Sequence, residues 1–313
     1  MSRLHRKLLV VTGKGGVGRS TLCAALGLAA ARAGKRAICV ELSGQHAVAK
    51  TLGLPHATYE PQRVAPGLDH RTFTAADCLA DFAQRKLHLP AVSNWLITSK
   101  PMATFLDAVP GLHDLLQLGK LENMIAEPLP GEPTWDLTIL DAHATGHGLT
   151  LLAAARAMRE TARVGPFYEL AGIIERFLSD PEVTGFVVVT LPEALPVHEA
   201  LELSNALAVD HAAPAAVLVN RCAREWPDDA AADALRDALA ARPEPAAQAL
   251  AALADEESTR SGHQRDAREV LRLGLEKVTP LRVHTVELPD LTDPTKLDPI
   301  VDILVKTLMV GGV

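Results

Sequence analysis

The sequence has no C-x-x-C pair and no histidine at metal-ligand spacing from a cysteine; its four cysteines, Cys23, Cys39, Cys78 and Cys222, are scattered. A disulfide framework and a zinc site are therefore not suggested, and the thiols are expected to be reduced and buried. Basic residues are not in excess either. A formal charge of −7 has the wrong sign for a phosphate backbone, so no nucleic-acid partner is expected. Apolar runs are short. The longest low-polarity stretch, 22–31, falls well short of the ~20 residues a membrane span requires. The basic start MSRLHRK leads through LLVVT straight into a glycine loop, so no export signal is expected. The expectation is a soluble, cytoplasmic protein without stable membrane insertion.

What is present is apolar bulk, 48% of 313 residues, enough for a sizeable core. Runs rich in leucine and β-branched residues recur between helical patterns at 7–12, 36–42, 137–141, 185–190, 215–220 and 282–288. Several are continuously apolar, as strands buried on both faces are. Their alternation with helices predicts an α/β fold with a doubly wound, mostly parallel sheet. The first helix is expected to run from the glycine loop to about Gly34, a left-handed cap.

Between 54 and 130 the pattern shifts to helical segments broken by Pro and Gly, with a short strand candidate at 68–73. We read this as a helical insertion within a single domain spanning 1–313. Its Trp95, Leu96, Met102 and Phe105 are read as core, with a client surface as the rival reading. A second helical stretch, 228–277, carries solvated charge. In the C-terminal segment 297–309, Ile300, Ile303, Leu304, Thr307 and Leu308 fall at helical spacing, with Asp298 the expected N-cap and Pro299 at the first position; it is read as a core-packing helix, with a membrane-surface helix as the rival.

The candidate site is the loop Gly13-Lys14-Gly15-Gly16-Val17-Gly18-Arg19-Ser20-Thr21. Its glycines allow backbone N–H groups to converge on phosphate oxygens, and the following helix adds its positive dipole end. The spacing fits two templates. Gly13-x-Gly15-x-x-Gly18 is also a dinucleotide fingerprint, with Glu41 ending the second strand where a ribose-binding acid would stand, so an NAD-dependent oxidoreductase is one reading. Arg19, Ser20 and Thr21 favour the other, because they put a cation and a metal-binding hydroxyl on the first helical turn. Asp141 ends an apolar strand and supplies the carboxylate that holds a magnesium-bound water in such sites. Ser20 and Asp141 together therefore point to a P-loop nucleotide site that uses magnesium. Lys14, inside the loop, is placed to clamp developing charge.

The string GKGGVGRST at 13–21 resembles the deviant Walker A motif of the MinD/ArsA group of P-loop ATPases. Asp141-Ala142-His143-Ala144-Thr145-Gly146-His147 resembles the group's switch II, and His46 and Gly53 fall at the spacing of its switch I. Pro110-Gly111 before Asp114, Pro192-Glu193 and Asn220-Arg221 also match, so the resemblance runs from about 7 to 290. It is strongest to bacterial ArsA-like ATPases that occur as paired paralogues.

The resemblance implies an ATPase that binds Mg-ATP at a dimer interface, as a homodimer or with a paralogue, and couples binding and hydrolysis to switching for an unknown protein client. It implies that Lys14 reaches the partner's nucleotide, that Asn220, followed by Arg221, reads adenine, and that the turn Leu288-Pro289-Asp290 covers the base. His46 and His147 are read as supporting hydrogen-bonding groups. Three departures stand out. Arg19 replaces the loop lysine, Ser43 falls where the switch I aspartate would orient water, and the C-x-x-C of the tail-anchored-protein targeting ATPase is missing. A hydrolysis-weakened regulatory subunit beside an intact paralogue is thus the rival to an active ATPase. Glu41 is read either as a displaced carboxylate or as a structural group at the strand end.

Overall fold

The computed structural model describes residues 6–42, 46–87, 104, 109, 111–128, 131–142, 147–212, 214–223, 229–278, 283–291, 293 and 296–309. Among these residues eight strands form one sheet: β1 (Leu8–Gly13), β2 (Ala37–Leu42), β3 (Gln62–Ala65), β4 (Leu68–Phe73), β5 (Leu137–Asp141), β6 (Thr184–Thr190), β7 (Pro214–Cys222) and β8 (His284–Pro289). Their order is β3-β4-β2-β5-β1-β6-β7-β8. All pairs are parallel except β3–β4.

The continuous apolar runs sort into two faces as strand geometry demands. Leu8 and Val10 of β1 enter one core, and Leu9 and Val11 enter the other. The second core is covered by α1 (Arg19–Arg32), through Leu22, Cys23 and Leu26, and by the C-terminal helix, through Ile300, Leu304 and Leu308. The opposite face is covered by α3 (Ala75–Leu87), α4 (Leu112–Ala126), α5 (His147–Ala162), α6 (Pro166–Ser179) and α7 (Ala194–Val209). A five-residue α2 (Ala47–Thr51) follows β2. The charged stretch before β8 is two helices, α8 (Asp229–Ala240) and α9 (Pro245–Val278).

α1 ends at Arg32, and Gly34 takes φ 80°, the left-handed conformation expected there. The C-terminal helix, α10 (Asp298–Leu304), continues as a π turn over Val305–Met309. Its cap is Leu297, not Asp298. The Asp298 carboxylate accepts from Arg32 instead, and Asp302 takes the other arm of the same guanidinium at 2.8 Å. That pairing ties the chain end to α1.

The segment from 54 to 130 is less purely helical than its pattern suggests. Residues 68–73 form the strand candidate as β4, which pairs with β2 from Ala37↔Leu68 to Leu42↔Phe73 and is integral to the sheet. β3 was not foreseen. It is short and polar, with Arg63 exposed, so it lacks the apolar alternation that marks a strand. Its signal was the two-residue turn Pro66-Gly67, with Gly67 at φ 81°. Trp95, Leu96, Met102 and Phe105 lie outside the described residues. Among the described residues no helix is long and apolar enough to cross a membrane.

α1 packs so closely on β2 that its Gly27 has no room for a methyl group: a Cβ would lie 2.5 Å from Cys39 Sγ and 3.0 Å from Leu68 Cδ1. Gly27→Ala gains about 1 kcal/mol of helix propensity but overpacks a dry core. The expected net outcome is a loss of about 1–2 kcal/mol, read from urea unfolding midpoints.

Candidate nucleotide site

The loop leaves β1 between two close approaches. A Cβ on Gly13 (φ 151°) would lie 2.4 Å from the Val189 carbonyl oxygen of β6. A Cβ on Gly18 (φ 91°), the residue capping α1, would lie 2.4 Å from Asn220 Nδ2. Both positions therefore require glycine on steric as well as conformational grounds. Asn220 is buried at the end of β7, and its Nδ2 donates to the Val17 carbonyl at 2.9 Å. The loop is thus pinned from the neighbouring strands. Lys14, Gly15 and Gly16 remain exposed on its outer side.

On the first turn of α1, Ser20 Oγ donates to Asp141 Oδ2 at 2.5 Å, across 121 residues of sequence. Register explains the meeting: β5 lies beside β1, with Val11 opposite Asp141, so the strand end arrives under the helix start. The two hard oxygen donors inferred from the sequence are brought together. Thr21, half-buried, sits beside them. Arg19 Nη1 donates to the Ala142 carbonyl, so its guanidinium is fastened to the chain just after β5. Burial pulls its pKa below the ordinary arginine range, and the Asp141 carboxylate counters part of that shift.

The groups assigned to the base also converge. Asn220 and Arg221 end β7, where Arg221 is exposed at φ 57°, and Pro289 ends the adjacent β8 opposite Cys222. Asp290 follows, its backbone N–H donating to the Cys222 carbonyl at 2.9 Å.

Strand order corrects the dinucleotide reading. In that fold the strand following the glycine loop lies beside the first, which puts its terminal acid at the ribose. Here β5 is inserted between β1 and β2, so Glu41 is one strand removed from the loop. Its carboxylate is also committed elsewhere. It accepts from the backbone N–H groups of Val48 (2.9 Å) and Ala49 (3.1 Å) at the start of α2, and contacts His70 Nε2 at 2.8 Å. Of the two roles weighed for Glu41, the structural one is observed.

His46, exposed, precedes α2 at φ 47°, and Gly53 follows it at φ 77°. Ser43 and 143–146 lie outside the described residues.

Two site neighbours were missed by sequence reasoning. Lys14 Nζ is 2.7 Å from Glu199 Oε1 of α7, with the lysine side chain 61% exposed. Glu199 stands mid-helix with no motif around it. His70, fully buried on β4, lies 29 residues from the Glu41 it serves. A lone histidine in a strand gives no signal of such a partner.

Residues 6–177 match the family model described as anion-transporting ATPase. The ATPase BagA of Mycobacterium tuberculosis is 31% identical over 228 residues, covering 70% of this chain and 65% of the relative. ATPase ASNA1 homolog 1 of Paramecium tetraurelia is 28% identical over 149 residues, 47% of this chain and 43% of the relative. The chain spans somewhat less than two thirds of the first of these and under half of the second.

The Glu41 cluster has a signature in pH. Burial pushes the carboxyl up, but His70 and the two backbone donors outweigh it, so its pKa lies below the ordinary value. A depressed carboxylate stabilises the fold above the ordinary range, near ~4.3, and loses that contribution as pH falls through its folded value. Glu41→Gln is expected to cost about 1.5–3 kcal/mol at neutral pH. The gap from wild type should narrow in acid, as followed by denaturant melts at stepped pH.

Proposed function

The chain belongs to the anion-transporting ATPase family, and from that premise we propose that it binds Mg-ATP at the loop 13–21 and hydrolyses it to drive movement of its switch segments. The observation that carries this reading is the 2.5 Å contact of Ser20 with Asp141 at the foot of the loop. A hydroxyl on the first helical turn and a carboxylate at the adjacent strand end are the oxygen pair that suits magnesium. Ser20 and Asp141 are the residues that would hold the ion. A magnesium ion held there would supply neutralising charge for phosphoryl transfer.

The chain's own contribution is placement. Backbone N–H groups of Gly13 through Thr21 receive the phosphates, aided by the dipole of α1. The Asn220 bond to Val17 holds the loop open to them. Arg221 and Pro289, on neighbouring strand ends, flank the base. Asn220 Nδ2 gives one N–H to the loop, so its second N–H and its Oδ1 are left to read adenine.

The site completes itself in a dimer, with a second copy or an ArsA-like paralogue, where Lys14 crosses to the partner's nucleotide. Its pairing with Glu199 is no obstacle, since an exposed ion pair contributes only about 0–1 kcal/mol. A cytoplasmic location and a protein client complete this reading. The whole chain acts as a single nucleotide-binding domain.

A second reading is favoured by one contact. Arg19, at the loop's usual lysine position, donates to Ala142 at the entry to switch II. A guanidinium anchored there is a poorer clamp on phosphate than a mobile ammonium. The chain then serves as an ATP-binding regulatory subunit whose turnover rises on pairing with an intact paralogue.

ATP binding measured by titration calorimetry and phosphate release measured on the same preparation test both readings. The expectation is binding below millimolar, lost by about tenfold or more in Ser20→Ala and Asp141→Asn when magnesium is present. Absence of binding at millimolar ATP overturns the proposal. Arg19→Lys and Ser43→Asp are each expected to raise phosphate release without a matching gain in affinity. Rates unchanged by both substitutions would mean that the departures do not limit turnover.

A further inference from the structure

On the sheet face away from α1, at the β3–β4 edge, α3 and α4 wall a cavity of about 700 Å3, within the ~300–1,000 Å3 typical of small-molecule sites. Its lining includes no residue of the loop, nor Ser20 or Asp141.

Among the described residues three cations line it, and two are neutralised. Lys120 pairs with Asp81, whose Oδ2 also accepts from the Tyr59 hydroxyl at 2.8 Å. Arg85 Nη2 contacts both Glu132 oxygens at 2.8 Å. Arg71 is different. It is only 5% exposed, yet it makes no ion pair among the described residues. Its guanidinium lies 4.8 Å from the Tyr59 ring centroid and 4.9 Å from that of Phe73. Nη1 donates to Met124 Sδ at 3.7 Å, and the buried Nε has no hydrogen-bond partner among the described residues.

The ring faces compensate part of the buried charge, but they accept none of its in-plane hydrogen bonds. A guanidinium fork is complementary to a planar pair of oxygens, and a buried cation without one is costly. Burial also draws Arg71 below the ordinary arginine range, a shift countered by Tyr59 and then by the carboxylates Glu60 and Asp81. The other walls are suited to an apolar body: Tyr59, Met124 and Trp135, the last fixed by its Nε1 bond to Asp69 at 2.8 Å. Glu60 and Glu127, both exposed in the lining, disfavour a second negative charge.

We propose that this cavity binds a small organic monocarboxylate, its carboxylate on the donors of Arg71 and its apolar body against Tyr59, Met124 and Trp135. The ligand is a neutral-bodied acid, not a phosphate ester. The site is separate from the nucleotide loop.

The test is titration calorimetry of the full chain with three probes of matched size: benzoate, phenyl phosphate and benzylamine. Benzoate is expected to bind at one site, phenyl phosphate more weakly and benzylamine not at all. Arg71→Gln should weaken benzoate by at least about tenfold, the usual consequence of losing a charge-assisted pair. Because Arg71 is buried, Gln84→Trp serves as a second variant. Gln84 is exposed on α3 and lines the cavity, so the larger ring narrows the entrance without disturbing buried charge. It should weaken benzoate while leaving the unliganded melting temperature unchanged. No benzoate binding at ~10 mM, or binding unaltered in the folded Gln84→Trp protein, overturns the proposal. Tighter binding of phenyl phosphate than of benzoate overturns the ligand class.

Discussion

The Val189 carbonyl and the Asn220 side chain stand where Cβ atoms of Gly13 and Gly18 would have to be, and the loop takes its shape from those two close approaches. β6 presses on the loop's entry, and β7 holds its exit through the bond from Asn220 to Val17. Neither contact could form unless β1 ran between β5 and β6, with β7 next to β6. The sheet order therefore decides the loop's conformation, and the loop decides where α1 begins. Ser20 reaches Asp141 as a consequence of that start.

Much of this was legible because burial on both faces leaves a simple trace. The runs that became β1, β2, β5 and β6 are almost wholly apolar, so their ends could be placed within a residue or two. Of the residues proposed for the site, Asp141, Asn220 and Pro289 stand at or near a strand end, and Ser20 lies on the first turn of the helix that follows β1. What was not legible depends on contacts across the fold. Glu41 looked available because nothing nearby in sequence announces that His70 and the start of α2 will occupy it. Glu199 meets Lys14 only because α7 descends beside the loop. β3 escaped notice because an edge strand has no need of an apolar pattern.

The glycine spacing was ambiguous for a related reason. A spacing of glycines records the steric needs of a turn, and two unlike folds share those needs. Topology separates them, since β5 intervenes between β1 and β2 and sets Asp141 opposite both Val11 and Glu41. The carboxylate nearest the loop is then the one on β5. Glu41, next in the same row, becomes an internal cap for α2.

β3 carries one more consequence. It offers only four residues at the rim of the sheet, with a register shift between Arg63 and Ala65 and a charged pair, Arg63 with Asp69 at 2.5 Å, projecting from it. At the far rim, β8 exposes Thr285 and Glu287, the latter bound by Arg268 of α9. Short length, irregularity and fixed charge are the features by which open sheets resist strand-to-strand fusion with other molecules. Among the described residues, both rims of the eight-stranded sheet carry features of this kind.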